Sequence, residues 1–262
     1  MKRPITIALS LVLATALCAA GTVAYLTFLR PADHSPAAAC ATTPTRPRVV
    51  AAGASMTQGS LGADWVAALR AAYPAYELVN AGSNGNTTAD LLQRVDTDIL
   101  ACRPAAVTLL IGTNDVRNGV PLDEYRANLR AIVERVRTGT GARIALMSLP
   151  PLGENLNTPV NRTLTGYNAA IKSLATEMGT DYLPVHERMA DILRHGPRTS
   201  YAFSFPLAFT AAAQHYLLRR TWDDIARSGG RELLVDHIHL TDRAGALVAK
   251  LAGDWLKGIM AS

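Results

Sequence analysis

Internal repeats and low-complexity tracts are missing from this 262-residue chain, so a folded domain is expected rather than a repeat array. No run of Lys and Arg interleaved with aromatic residues occurs. The formal charge of +5 falls to +2 once Lys2, Arg3 and Arg30, which flank the N-terminal apolar stretch, are set aside. That balance argues against nucleic acid as a partner. Cysteine is scarce, with only Cys18, Cys40 and Cys102, and beyond the His-x-His at His237 and His239 no further Cys or His cluster supports a metal site. Neither a metal nor a cofactor is expected.

What is present begins with Ile5 to Leu29, a stretch without a charged side chain, preceded by Lys2-Arg3 and followed by Arg30. It exceeds the 7–15 apolar residues usual in a signal peptide and suffices for a membrane span. The positive flank places the N-terminus in the cytoplasm and exports the rest. An uncleaved anchor is favoured over a cleaved signal, although Thr22-Val23-Ala24 is a passable cleavage site. Neither Cys18 nor Cys40 suits lipidation. Residues 1–30 therefore read as anchor or signal and 31–47, rich in Ala, Pro and Thr, as a linker. A single domain follows over 48–262, about 210 residues and enough for a full core.

Within the domain, short apolar runs alternate with helical patterns. Strands are expected at Arg48–Ala54, Tyr76–Ala81, Ala105–Ile111, Arg143–Leu149 and Tyr182–Val185. Helices are expected at Ala63–Ala72, Ala89–Leu100, Pro121–Thr138, Tyr167–Met178 and His186–His195, with Gly153 to Pro159 as a loop. Leu233 to His239, then a helix from Thr241 to Leu256, close the chain. The alternation implies a three-layer α/β/α sandwich around a five-stranded parallel sheet, flavodoxin-like with order 2-1-3-4-5. Ligands then bind beyond the carboxyl ends of the strands, where the polar loops holding Ser55, Gly85 and Asn114 converge. Cys40 and Cys102 each precede a strand. If those strands are parallel neighbours, an exported chain can bridge them; the other reading is two unpaired buried thiols.

Four blocks carry the chemistry: GASMTQG around Ser55, VNAGSNGNTT around Gly85, IGTND around Asn114, and DHIHLT with Asp236 and His239. In order and spacing they resemble the SGNH hydrolase superfamily, the GDSL-type esterases and lipases. The resemblance implies Ser55 as nucleophile, His239 as base and Asp236 as the carboxylate that holds its tautomer. It further implies an oxyanion hole from the Ser55 and Gly85 backbone N–H groups and the Asn114 side chain. His237 is the rival base, and a zinc site of Asp236, His237 and His239 the rival chemistry. Ala54 stands where the family has Asp, Met56 where it has Leu, and Asn86 where many relatives have Asp. The loss of Asp at 54 puts the hydrogen-bond support of the Ser55 loop in question.

Thr199 to Leu218 is uncharged. It reads as a helix partly buried on the core, or as a lid whose Tyr201, Phe203, Phe205, Leu207 and Phe209 line an acyl pocket or touch lipid. The expected function is an exported serine hydrolase acting on lipid or short-chain acyl esters. The alternatives are a carbohydrate O-acetylesterase of the cell envelope or a non-catalytic surface module on the same fold.

Overall fold

The structure, a computed structural model, describes residues 2–196 and 198–260. Five parallel strands form one sheet in the order β2-β1-β3-β4-β5: β1 Arg48–Gly53, β2 Glu77–Gly82, β3 Ala106–Leu110, β4 Arg143–Met147 and β5 Asp181–Leu183. Every residue of β1 and β3 is buried, as expected of parallel strands covered on both faces. The fold is therefore the doubly wound α/β arrangement read from the alternation of strands and helices, and the order places the switch point between β1 and β3.

Helices α1 (Lys2–Ala24) and α2 (Pro36–Ala39) precede the sheet. After β1 come α3 (Ser55–Gln58) and α4 (Trp65–Ala72), and after β2 come α5 (Thr88–Gln93) and α6 (Val95–Asp98). The remaining helices are α7 (Thr113–Asn118), α8 (Leu122–Gly139), α9 (Pro159–Met178), α10 (Val185–Leu193), α11 (Phe205–Leu218), α12 (Trp222–Ser228) and α13 (Asp242–Met260). Helix α4 packs on α13, which also meets α10, while α5 packs on α8 and α8 on α9. Two helical layers thus flank the sheet. The stripe Tyr125, Leu129, Ile132, Val133 and Val136 of α8 is buried as its spacing requires.

Three local departures have identifiable causes. The helix expected over Ala89–Leu100 breaks at Arg94, whose guanidinium turns in to the carbonyls of Gly53 and Ala81 at 2.9 Å each. Helix α9 starts at Pro159, eight residues before Tyr167, because proline suits a first helical turn and Asn161 and Leu164 are buried there. Helix α12 was not anticipated; Thr221 caps it by accepting from the Asp224 amide at 3.1 Å.

At the amino ends of the strands, Cys40 and Cys102 form a disulfide with Cα atoms 4.5 Å apart. Arg48 is buried beside it and donates to the carbonyls of Cys102 at 2.7 Å and Ala39 at 3.0 Å, with Glu77 as its counter-ion at 2.7 Å. A buried guanidinium needs such saturation, since an unpaired charge there is costly. Residues 31–47, read as a linker, are thereby pinned: α2 and Cys40 lie under the sheet edge, and the His34 carbonyl accepts from the Asn80 amide at 3.0 Å.

Candidate active site

Strand β1 ends at Gly53, and Ser55 opens α3 immediately beyond it. A Cβ at Gly53 would lie 2.5 Å from the Leu110 carbonyl oxygen, so only glycine lets β1 and the following turn sit this close to β3. The Ser55 Oγ lies 2.9 Å from Nε2 of His239. Nδ1 of the same ring lies 2.7 Å from Oδ2 of Asp236. The other carboxylate oxygen, Oδ1, accepts from the amides of Ile238 at 3.1 Å and His239 at 2.9 Å, which closes the turn. His237 lies inside this turn at φ 76°. Its Nδ1 is buried without a partner, and burial first, then the nearby Arg231, hold its pKa down. It is His239, not His237, that meets Ser55. Both ring nitrogens of His239 are thus engaged, Nδ1 by Asp236 and Nε2 by Ser55.

Asp236 is fully buried. Burial works to raise its pKa, but the charge of His239 and the hydrogen bonds from its ring and from the two amides outweigh that, and the carboxyl stays below its ordinary range. It is held as an acceptor for the Nδ1 proton, which fixes Nε2 as the nitrogen able to take a proton from Ser55.

Gly85 and Asn114 line the same cleft as Ser55 and His239. Gly85 has φ 77°, and nothing lies within 4 Å of where its Cβ would be, so it serves backbone geometry rather than space. Asn114 donates from Nδ2 to the Asn86 carbonyl at 2.9 Å, while its Oδ1 accepts from Arg117 at 2.9 Å. A guanidinium can only donate, so this contact assigns the amide: the atom toward Arg117 is the oxygen, and the nitrogen that donates to Asn86 keeps a second proton.

Several supporting residues carried no signal that the sequence reading used. Asp115, buried beside Asn114, accepts from the Thr88 amide at 3.0 Å and from its hydroxyl, tying the loop after β3 to the loop after β2. Burial raises its pKa despite these bonds. Arg94 also donates to the Asn86 side chain at 2.7 Å. Glu154, buried, accepts from the amides of Glu232, Leu233 and Leu234 at 2.7–2.9 Å. Those amides are used by a carboxylate instead of a ladder, and 233–239 forms only the isolated bridge Leu234–Leu240. Asp115 was visible as part of IGTND, but Arg94 and Glu154 act across distances that no local pattern encodes.

The Ser55 loop does not lack support although Ala54 replaces the acid. Asn80 donates to the Thr57 carbonyl at 2.8 Å, and the Trp65 indole donates to that of Met56 at 3.0 Å. Of the aromatic and aliphatic residues proposed for a lid, Phe203 and Phe205 line the cleft, and Tyr201 accepts from Arg117 at 2.9 Å. Phe209 packs on a satellite core instead, and Ala208, Ala211 and Ala212 bury one side of α11.

A doubly wound sheet with these loops at its switch point is the architecture of the SGNH hydrolases, a class of carboxylic ester hydrolases. The chain belongs to the GDSL-like lipase/acylhydrolase family, whose model matches residues 51–246. It is 30% identical over 182 residues to an acetylxylan esterase of Geobacillus stearothermophilus, covering 63% of this chain and 81% of that protein. Among solved structures it resembles Axe2, an acetylxylan esterase of that organism, with TM-score 0.58 and 24% identity over 79% of this chain and 92% of the other. It also resembles the acetyl xylan esterase AlAXEase, with TM-score 0.59 and 19% identity over 78% and 97%. Both structural likenesses concern the fold.

Proposed function

We propose that this chain is an exported serine esterase that removes short acyl groups, acetyl above all, from carbohydrate of the cell envelope. The observation that carries the chemistry is the 2.9 Å approach of His239 Nε2 to Ser55 Oγ. Ser55 attacks the acyl carbonyl while His239 takes its proton, and Asp236 stabilises the imidazolium. The charge that develops on the carbonyl oxygen is met by the backbone N–H groups of Ser55 and Gly85 and by Asn114 Nδ2. Collapse expels the sugar oxygen, which leaves with the proton from His239. Water, deprotonated by the same imidazole, then releases the acid and restores Ser55.

Two observations favour acetylated carbohydrate over the lipid esters first expected. The relative at 30% identity is an acetylxylan esterase. The cleft holds about 220 Å³, less than the ~300–1,000 Å³ typical of sites that enclose larger ligands. Export is supported by the apolar helix over Ser10–Leu29, long enough to span a membrane, and by the disulfide.

The test is acetate release from acetylated xylo-oligosaccharide and from O-acetylated N-acetylglucosamine, beside a p-nitrophenyl ester series from acetate to decanoate. The expected result is turnover of the acetyl sugars and a steep fall of kcat/KM beyond butyrate, all abolished in Ser55→Ala. A preference for decanoate over acetate would restore the lipid reading.

A further inference from the structure

The N-terminal apolar segment does not simply tether the domain. Val23 and Thr27 are fully buried, and α1 lies along α11, with Val23 in the satellite core beside Ala208, Ala211 and Ala212. After α1 the chain makes one wide π-helical turn over Tyr25–Leu29, closed by the Arg30 amide on the Tyr25 carbonyl at 2.8 Å. A helix end leaves its last carbonyls without partners. Here the catalytic loops supply them. Ser60 Oγ donates to the Thr27 carbonyl at 2.8 Å, Asn84 Nδ2 to the same carbonyl at 3.1 Å, and Gln58 Nε2 to that of Arg30 at 2.9 Å. Gln58 in turn accepts from the Asn84 amide at 2.6 Å. Asn84 is the residue before Gly85, and Gln58 lies on α3 with Ser55.

Side chains of the segment reach the cleft as well. Thr27 and Phe28 line it together with Ser55, Gly85, Asn114 and His239. The Phe28 ring stands 6.4 Å from Phe205, Phe205 stands 5.5 Å from Phe203, and Phe203 stands 6.4 Å from His239. The three phenylalanines form an apolar wall running from the segment to the imidazole.

We propose that Thr27–Arg30 is a working part of the cleft. The carbonyl of Thr27 positions the Gly85 loop through Asn84, and Phe28 walls the substrate side. The enzyme is thus complete only with its N-terminal segment uncleaved. Val23 and Thr27 are already packed in the domain, so the apolar stretch is free for lipid only up to about Thr22. A helical residue advances only ~1.5 Å, and the cleft then opens close to the bilayer surface. Its substrate is an acylated carbohydrate held at the outer face of the membrane. Phe205, beside Phe28 at the start of α11, is 70% exposed. This assignment rests on the esterase reading above.

The full-length enzyme in detergent micelles tests it, with p-nitrophenyl acetate as substrate and melting temperature as a fold control. Asn84→Asp keeps the shape but removes the donor to Thr27, and it is expected to lower kcat at least tenfold with little change in KM. Phe28→Ala is expected to raise KM several-fold with kcat nearly intact. Mass spectrometry of the N-terminal peptide from the membrane fraction of producing cells is expected to find Thr27–Arg30 retained. A mature active chain that starts beyond Arg30, or either variant matching wild type in both constants, overturns the inference. Turnover persisting in Ser55→Ala would instead overturn the esterase reading itself.

Discussion

Arg117 donates to the side-chain oxygen of Asn114 at 2.9 Å, and that contact fixes which end of the amide accepts and which is left to donate. The guanidinium is itself held by the Tyr201 hydroxyl at 2.9 Å and lies 4.8 Å from the Phe203 ring centroid. A donor aimed before the reaction begins is worth more than one that must reorient.

Removal of the amide and removal of its holder should therefore differ in size. Asn114→Ala is expected to lower kcat by about 10²–10³-fold, the usual loss for one oxyanion donor. Arg117→Ala should cost roughly tenfold, since Asn114 keeps its bond to Asn86 and loses only the anchor on its oxygen. Steady-state kinetics on p-nitrophenyl acetate separate the two. Equal losses would show that Arg117 contacts the reacting group itself.

Asp236→Asn should leave the fold in place and lower kcat by about 10⁴-fold, because an amide no longer fixes the Nδ1 proton of His239. Its effect on stability has a definite sign. The folded-state pKa of Asp236 lies below its ordinary value of 3.8. The stability it contributes is thus full above that value and is lost as pH falls through the folded-state pKa. Acid unfolding followed by circular dichroism should show a flatter profile below about pH 4 in the variant than in wild type.

Glu154 should matter to stability before it matters to chemistry. Glu154→Ala strands three amides that it alone receives, at about 1–3 kcal/mol each, and the melting temperature is expected to fall by on the order of 10 °C. Glu154→Gln keeps the oxygen that accepts all three and should lose less than half as much. Burial raises the Glu154 pKa in spite of those amides. Wild-type stability therefore declines as pH rises from the unfolded value to the folded one, and Glu154→Gln lacks that decline.

The disulfide closes a sequence separation of 62 residues. Loop-closure entropy gives about 4 kcal/mol for a loop of that size. Cys40→Ser, Cys102→Ser and the double variant should melt at one common temperature, on the order of 10 °C below the oxidised protein. Reduction of the wild type should reach the same point.

Much of this arrangement was legible along the chain. Apolar runs such as Ala105–Ile111 have one stable home, a strand covered on both faces, and the helical stripes between them leave a parallel sheet as the way to bury both. Ser55, Gly85, Asn114 and the Asp236–His239 pair stood out because four short motifs resemble those of the SGNH hydrolases, the first three at the ends of strands and the last in a tight turn. The break at Arg94 was not legible, because helical spacing continued through it while its guanidinium found better acceptors in the sheet ends. The docking of Thr27 on Asn84 was not legible either, since an apolar segment of membrane length gives no sign of what its last carbonyls will meet.

By itself, the sequence determined the kinds of element, their order and the chemical groups available, because periodicity and turn composition act between near neighbours. Only the tertiary structure decided which donor meets which acceptor: that His239 rather than His237 turns to Ser55, that Glu154 holds the strap carrying Asp236, and that the N-terminal helix ends inside the cleft. Hydrogen bonds are short and directional, so partners separated by up to 184 residues, as Ser55 and His239 are, become partners only once the core has packed and brought their backbones within a few ångströms.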